Sequence, residues 1–254
     1  WLDRPLGAAG TVVLKGDNAF DVDSVLVDTK RPIAIVPNLA IHMNREVNDG
    51  YTYNAQIDML PLYGDNSSKG SLMKTIAKEA EVEEESILDT DLFLYNRMNG
   101  TKIGSNEEYI SSPRLDDLEC AFTSLSAFLS ENTSNSASVY CVFDNEEVGS
   151  GTKQGADSTF LYDVLRRINI SLGKTEDYYR LISSSFMVSA DNAHALHPNY
   201  TDKSDLTNKV YMNDGIVIKY NANQKYTTDA VSASIFKTIC DSVDVPYQTF
   251  TNRS

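Results

Sequence analysis

The sequence has few cysteines and few histidines for its length of 254 residues. Its three cysteines, Cys120, Cys141 and Cys240, are an odd number at wide spacing, which argues against a disulfide framework. Two of them lie within apolar helix or strand patterns, where cysteine behaves as a small core residue. This usage is typical of a reducing compartment, so we expect a cytoplasmic protein.

Positive charge is also scarce, with 22 Lys and Arg against 36 Asp and Glu and a formal net charge of -14. Nucleic acids and anionic membrane surfaces both require a basic face, so we expect neither as a partner. No apolar run approaches about 18 residues, which argues against a membrane span. The first residues lack the basic and apolar regions of a signal peptide.

The most informative feature that is present is an apolar run followed by paired carboxylates. Val139–Phe143 is an unbroken apolar run, which predicts a strand covered on both faces. Glu146 and Glu147 follow it, at the place where ligand sites of open α/β sheets lie. In most proteins a pair of adjacent glutamates simply lies on the solvated surface. Here the pair directly follows the predicted strand, and this position favours a functional role.

Two further acidic elements repeat this design. The short run Ser185–Ala190 ends in Asp191, and Asp116 and Asp117 open a pattern with Leu or Phe every three or four residues, which predicts a helix. Either aspartate of that pair could instead be a helix N-terminal acid stabilised by the dipole. Several carboxylates on one rim repel one another unless cations neutralise them. The sequence therefore predicts a divalent metal site.

A composition shift near Ser111 predicts two domains, residues 1–111 and 112–254. Upstream, short β-rich runs are separated by turn residues, with one helix around residues 71–80. The predicted strands there are Thr11–Leu14, Ser24–Val27 and Ile33–Val36. Downstream, helices and strands alternate, which predicts an α/β sheet with helices on its faces. The predicted helices are Leu115–Leu129, Gln154–Ile168 and Thr228–Val243, and the predicted strands are Val139–Phe143, Phe186–Ala190, Ile216–Lys219 and Pro246–Phe250.

Six segments carry a resemblance to one family, in the family's order: Trp1–Gly10, Arg31–His42, Ser112–Leu118, Asp144–Ala156, Ser189–Tyr200 and Gly215–Lys219. They resemble the M18 metalloaminopeptidases, the aspartyl aminopeptidase and aminopeptidase I group, over nearly the whole chain. The resemblance implies a zinc-exopeptidase-like α/β/α catalytic domain, incomplete at residues 112–254, with a β-rich dimerisation domain at 1–111. It also implies the central portion of a longer chain, because the family's two metal-binding histidines fall outside these residues.

The resemblance implies a dinuclear zinc aminopeptidase that releases the N-terminal residue of peptides. Asp116 would bridge two zinc ions, Glu147 would bind one and Asp191 the other, and Glu146 would be the general base. Adjacent side chains on an extended segment point opposite ways, so one glutamate of the pair can ligate while the other does not. The expected assembly is a homodimer within a larger homo-oligomer, a dodecamer.

The sequence suggests different roles for the three histidines. His42 ends the apolar stretch Ile33–Ile41, where a lone histidine is more often a structural residue; the resemblance instead implies that it reaches the active site of the partner subunit and stabilises the oxyanion. His194 and His197 follow Asp191 closely, so we expect them to line the same rim as substrate contacts or as partners of the ligands, with a structural role equally open.

Lys219 closes a strand-like run, where a lysine is generally a surface charge. The acidic-substrate branch of the family places it in the pocket for an N-terminal Asp or Glu, whereas other members prefer neutral or apolar N-termini, and one lysine does not decide between them. Two other functions stay open. One is a catalytically silent assembly or interaction module on the same fold. The other is a dinuclear carboxypeptidase or deacylase, which would need a substrate-carboxylate site that the sequence does not show.

Overall fold

A computed structural model describes residues 2–130 and 135–251 of the chain. It divides into two compact units, residues 1–113 (unit 1) and residues 114–254 (unit 2). Each unit contains both helices and strands, which confirms the predicted α/β class. Within the described ranges, none of the helices combines the length and the apolar character needed to cross a bilayer.

Unit 1 is organised around the long strand β1 (Pro5–Asn18). β2 (Asp21–Asp28) and the short β3 (Ala34–Ile35) pair antiparallel with one edge of β1, and β4 (Ile87–Asn96) pairs antiparallel with the other. The remaining elements are α1 (Ala55–Asp58), α2 (Leu72–Ala80) and a hairpin of β5 (Thr101–Ile103) and β6 (Tyr109–Ser111).

The core of unit 1 forms where α2 packs on one face of the sheet. Alternation along β1 places Ala8 and Val12 on that face, and they pack with Val27, Ile33 and Ile76. Ile76 and Val12 are both fully buried, at 0% exposure. Burial of this kind removes about 25 cal/mol of unfavourable hydration per Å² of apolar surface, so this cluster stabilises the unit.

Among the described residues, unit 2 contains four α-helices, a short 3₁₀ helix (Thr201–Lys203) and one pair of parallel strands. The helices are α3 (Leu115–Ser130), α4 (Phe160–Ser171), α5 (Asp177–Ser183) and α6 (Ala230–Ser242). β7 (Ile216–Tyr220) and β8 (Tyr247–Thr251) lie side by side and are connected through α6, a βαβ unit. Asp229 and Ser232 form a capping box that starts α6, which is why this helix begins close to its predicted position.

Most of the predicted elements are confirmed, with shifted ends. In unit 1 the three predicted strands are present as β1, β2 and β3, and the predicted helix is present as α2. The strands β4, β5 and β6 had not been predicted. In unit 2 the helices near residues 115–130 and 230–242 and the strands β7 and β8 are present. The helix predicted from Gln154 starts only at Phe160, because residues 150–158 form hydrogen-bonded turns, including Asp157 N–H to the Ser150 carbonyl at 3.2 Å.

Two predicted strands are wrong. Val139–Phe143 and Phe186–Ala190 are paired with no strand among the described residues. Val139 and Val142 are 57% and 60% exposed, so the expectation of a strand covered on both faces also fails. An apolar run indicates a tendency toward burial, but a strand in a sheet also requires a neighbour that accepts and donates backbone hydrogen bonds.

Candidate metal centre

Three carboxylates of unit 2 converge in one place. Asp116, Asp117 and Asp191 each offer an oxygen, and these oxygens all lie within 4.8 Å of one another. In the part of the chain that the structure describes, this is the one group of three or more potential ligands that close together. All three residues are exposed, so the group is open to solvent and to a cation.

The start of α3 presents two of these carboxylates. Asp116 (φ -81°, ψ 112°) and Asp117 (φ -115°, ψ 24°) lie outside the helical region, and the peptide bond between them is cis. Regular helix continues only after them, so neither aspartate occupies an ordinary helical position. The alternative in which one of them is merely a helix N-terminal acid does not account for their approach to Asp191.

Lys219 brings a positive charge to this group. Its neighbour on β7, Ile218, is buried, and strand alternation places Lys219 on the opposite face. Its Nζ donates to Asp191 Oδ2 at 2.6 Å and to the carbonyl of Asn192 at 2.5 Å, and it lies 5.5 Å from the ring centroid of Tyr226. The Lys219 side chain is only 15% exposed, so its charge is directed into the site rather than into bulk solvent.

A side-chain network lies beside the carboxylates. The Cys120 thiol lies 3.3 Å from Asn192 Oδ1 and also within hydrogen-bond reach of Asp117, so these two acceptors share its single hydrogen. Asn192 Nδ2 donates to Glu119 Oε2 at 3.1 Å. Asn192, Cys120 and Glu119 were not identified from the sequence. Their only signal there is that they stand next to, or within a helical turn of, the predicted aspartates.

The site carries a concentrated negative charge. Partial desolvation by neighbouring groups raises the pKa of the exposed Asp117, a hydrogen bond with the Cys120 thiol lowers it, and the charges of Asp191 and Asp116 raise it further. Burial and then Asp117 raise the pKa of the Cys120 thiol to about 12, which keeps it protonated at neutral pH. Such a gathering of like charges is favourable only with a cation or a proton among them.

The loop with the paired glutamates is held by turn hydrogen bonds. Asp144 N–H donates to the Gln154 carbonyl at 2.9 Å, and Ser150 N–H donates to the Asn145 carbonyl at 3.0 Å. A side chain at Gly155 would collide with the Ser150 carbonyl oxygen, so the loop requires glycine there. The fixed loop leaves Glu146 and Glu147 exposed at its tip.

Glu146 lies within the electrostatic field of the three aspartates. Desolvation raises the pKa of its carboxyl, and the charges of Glu147, Asp191, Asp116 and Asp117 raise it further, in that order. Glu147 contributes to this field but its carboxylate is not a member of the described three-aspartate group.

The three histidines are not members of the described three-aspartate group. His42 is exposed in a turn of unit 1 that follows β3, flanked by the exposed side chains of Ile41 and Met43. His194 and His197 are exposed in unit 2. The ring of His197 packs 5.0 Å from that of Tyr200, and its Nδ1 accepts the Asn199 N–H at 3.2 Å.

Solved structures share this fold. The cryo-EM structure of the Ape4 and Nbr1 complex matches with a TM-score of 0.88 at 34% identity, covering 100% of this chain and 53% of that one. The crystal structure of an M18 family aminopeptidase from Thermotoga maritima matches with a TM-score of 0.76 at 22% identity, covering 100% of this chain and 60% of that one, and shows the fold alone.

Sequence comparison identifies the family. A probable M18 family aminopeptidase 2 of Clostridium novyi is 50% identical over 259 residues, and its counterpart in Clostridium acetobutylicum is 48% identical. Both alignments cover 100% of this chain, which spans 60% of the length of each relative. The model of the family described as aminopeptidase I zinc metalloprotease (M18) matches residues 1–254. The chain therefore belongs to the M18 family of zinc aminopeptidases.

Proposed function

We propose that the protein acts as a dinuclear zinc aminopeptidase that hydrolyses the N-terminal residue of peptides. The observation that carries this proposal is the convergence of Asp116, Asp117 and Asp191 within 4.8 Å, in a chain whose family is that of zinc metalloproteases. Carboxylate oxygens are suitable ligands for zinc, and an exposed cluster of like charges favours divalent cations strongly.

The ligand assignment rests on the family resemblance; Asp116 and Asp191 belong to the described three-aspartate group, and Glu147 does not. We assign Asp116 as the bridge between two ions, Asp191 as a ligand of one and Glu147 as a ligand of the other. Asp117 lies close enough to belong to the same group and is the alternative bridge. Bound ions would supply the Lewis acidity that polarises the scissile carbonyl.

Glu146 is the proposed general base. Its pKa is raised by desolvation and by the surrounding carboxylates, which makes its carboxylate a better proton acceptor at neutral pH. It takes a proton from the attacking water and returns a proton to the leaving amine. The isosteric amide of glutamine removes this capacity and little else.

An acidic N-terminal residue is the proposed substrate preference. The Lys219 ammonium has three donors, and Asp191 and the Asn192 carbonyl account for two of them. The third donor is suited to a carboxylate of the substrate side chain. His194 and His197 are proposed as further substrate contacts.

Self-association is proposed from unit 1. His42 lies in a turn whose apolar neighbours Leu39, Ile41 and Met43 are all exposed, and such apolar side chains are typical of protein contact surfaces. We propose that this segment joins two copies in a homodimer and delivers His42 to the partner's site. A related Saccharomyces cerevisiae protein, mApe1, forms a dodecamer, and we propose a similar larger assembly here. The free cysteines favour a cytoplasmic location.

The paired variants Glu146→Gln and Glu147→Gln test the proposal. Both are made in the full-length protein that contains these residues. Glu146→Gln should retain zinc and lower the hydrolysis of an aspartyl anilide by about 10² to 10⁴, the contribution of a positioned general base. Glu147→Gln should instead lose zinc. Zinc lost from Glu146→Gln would reverse the two roles. A wild-type protein that binds zinc but hydrolyses neither aspartyl nor leucyl anilides would favour the silent assembly module.

A further inference from the structure

Asp191 lies on a segment that has no regular secondary structure to position it. Residues 185–197 belong to neither a helix nor a strand, so no backbone ladder holds the Asp191 carboxylate beside α3. A ligand must nevertheless be held to within a few tenths of an ångström for tight metal binding. The contacts that hold this segment are therefore made by individual groups.

The side-chain amide of Asn192 contacts α3 through both of its ends. Its Nδ2 donates to Glu119 Oε2 at 3.1 Å, and its Oδ1 lies 3.3 Å from Cys120 Sγ, whose hydrogen it shares with Asp117. The carboxylate fixes the orientation of the amide, because the reverse orientation would place Oδ1 against a negatively charged acceptor. Glu119 and Cys120 follow Asp116 and Asp117 on the same helix, so this contact joins the two carboxylate-bearing segments.

The backbone of Asn192 is held from a third direction. Its carbonyl accepts from Lys219 Nζ at 2.5 Å, and the same Nζ donates to Asp191 Oδ2 at 2.6 Å. Asn192 therefore lies between β7 and α3, with the Asp191 carboxylate adjacent to both contacts. Both polar atoms of its side chain already contact Glu119 and Cys120, so the amide is engaged in these contacts.

We propose that Asn192 is a positioning residue of the metal centre, whose amide ties the Asp191 segment to α3. It thereby holds Asp191 beside Asp116 and Asp117, the carboxylates that would hold a cation. This role rests on the metal site of the proposed function. It assigns Asn192, Glu119 and Cys120 a part in metal affinity without contact to metal or substrate.

The test is a double-mutant comparison on the full chain, with zinc affinity measured by competition against a chromophoric chelator. Asn192→Ala and Glu119→Ala should each weaken zinc binding by about 10- to 100-fold, the usual effect of losing a partner of a ligand-bearing segment. The double variant should be no weaker than Asn192→Ala alone, because both changes remove the same contact. Glu119→Gln keeps an oxygen acceptor and should restore affinity to near wild type.

Asn208→Ala is the matched control. Asn208 is also a bridging asparagine of unit 2, with its Nδ2 at 3.0 Å from Asp205 Oδ1 and at 3.4 Å from Thr251 Oγ1. Asn208→Ala removes hydrogen bonds that support the fold, so it should lower the melting temperature. It should leave zinc affinity unchanged. A loss of zinc affinity in Asn208→Ala equal to that in Asn192→Ala would reduce the effect to general destabilisation and overturn the positioning role.

A metal-independent measurement separates this role from the metal site itself. The rate at which iodoacetamide alkylates Cys120 is measured on the peptide that contains this residue. This rate should be higher in Asn192→Ala than in the wild type and unchanged in Asn208→Ala. If wild type binds zinc and Asn192→Ala binds it equally well, the positioning role is overturned and the proposed function stands. If the wild-type protein takes up no zinc, the proposed metal site is wrong. Faster alkylation of Cys120 in Asn192→Ala would in that case still support the contact between Asn192 and α3. An unchanged alkylation rate would overturn that contact as well.

Discussion

Unit 1 and unit 2 differ in where they keep their apolar side chains. The largest side chains that are under 2% exposed, Leu6, Val12, Thr29 and Ile76, all belong to unit 1. In unit 2, α3 and α6 instead present exposed apolar residues such as Phe122 and Val231, at 71% and 68%. Unit 1 thus builds a closed core from its own residues, although it also exposes apolar side chains such as Leu26 and Phe93, whereas in unit 2 several large apolar side chains of α3 and α6 are exposed. Exposed apolar side chains of this kind are typical of contact surfaces.

The two units also treat charge differently. In unit 1 the Asp28 carboxylate is paired locally, with Tyr95 and Arg97. In unit 2 Asp116, Asp117 and Asp191 are gathered with one lysine beside them. Local pairing stabilises a fold, whereas an accumulation of like charges costs stability and is expected where a site needs it. The comparison agrees with the proposed placement of the metal site in unit 2, and it shows locally paired charge in unit 1.

The largest expected effect is at the carboxylate cluster. Asp116→Ala would remove the proposed bridging donor and should lower zinc occupancy at both proposed positions, with activity lost as a result. Asp177→Ala is the matched control, since Asp177 is also an acid in the first turn of a unit 2 helix, and its loss should cost only about 0.3 to 1 kcal/mol. Full zinc occupancy in Asp116→Ala, measured by elemental analysis, would move the bridging role to Asp117.

A second prediction would break the division of roles between the units. If His42 of unit 1 stabilises the oxyanion in the partner's site, His42→Ala should lower turnover by about 10² to 10³, the contribution of one such donor. Glu46→Ala, an exposed residue of the following turn that lies outside the apolar segment, is the control and should leave turnover near wild type. Steady-state hydrolysis rates compare the two.

Mixing distinguishes action across the dimer from action within one subunit. A mixed dimer of His42→Ala and Glu146→Gln chains contains one site with an intact Glu146 and an intact His42 from the other chain. Activity should therefore reappear when two nearly inactive variants exchange subunits. Its absence, with exchange verified separately, would confine His42 to its own subunit.

The third prediction concerns the core of unit 1. Ile76→Ala should lower the free energy of unfolding by about 2 to 5 kcal/mol, because Ile76 is fully buried and leaves a cavity. Phe122→Ala in unit 2 should change it by less than about 0.5 kcal/mol, since its side chain is mostly exposed. Denaturant unfolding measures both. A large effect of Phe122→Ala would show that this face is covered in solution.

The same difference explains what the sequence could predict. The β1 to β3 strands and α2 are visible in the pattern because their apolar residues pack against one another within unit 1. Val139–Phe143 has an equally strong apolar pattern, but no strand pairs with it among the described residues, so local pattern gave the wrong structure. Periodicity reports which residues tend toward burial, and pairing depends on which other segments are present.

The candidate site was predictable to a similar degree. Asp116 and Asp191 could be identified because acids follow or open apolar elements, and the structure brings them together with Lys219. Asn192 could not be identified, since its role depends on a hydrogen bond to Glu119, 73 positions away in the sequence. Contacts between distant side chains leave no local pattern.

The smallest expected effect sharpens the comparison of charges. The pKa of Asp28 is lowered by the Tyr95 hydroxyl first, then by the Lys30 N–H and by Arg97. A carboxyl with a lowered folded-state pKa stabilises the fold above its unfolded pKa of about 3.9 and loses that contribution as the pH falls through the folded value. Its side chain is 43% exposed, so the effect should stay below about 1 kcal/mol.

Asp28→Asn should therefore lower the urea midpoint at pH 7 and approach wild type near pH 3, where the Asp28 carboxylate of the wild type is itself becoming protonated. Asp23→Asn, on the exposed part of the same strand, is the control and should change little at either pH. A difference between Asp28→Asn and wild type that grew on acidification would mean that the ionised carboxylate does not stabilise unit 1. The local pairing of charge would then cease to distinguish the two units, and only the closed apolar core would remain as the source of stability in unit 1.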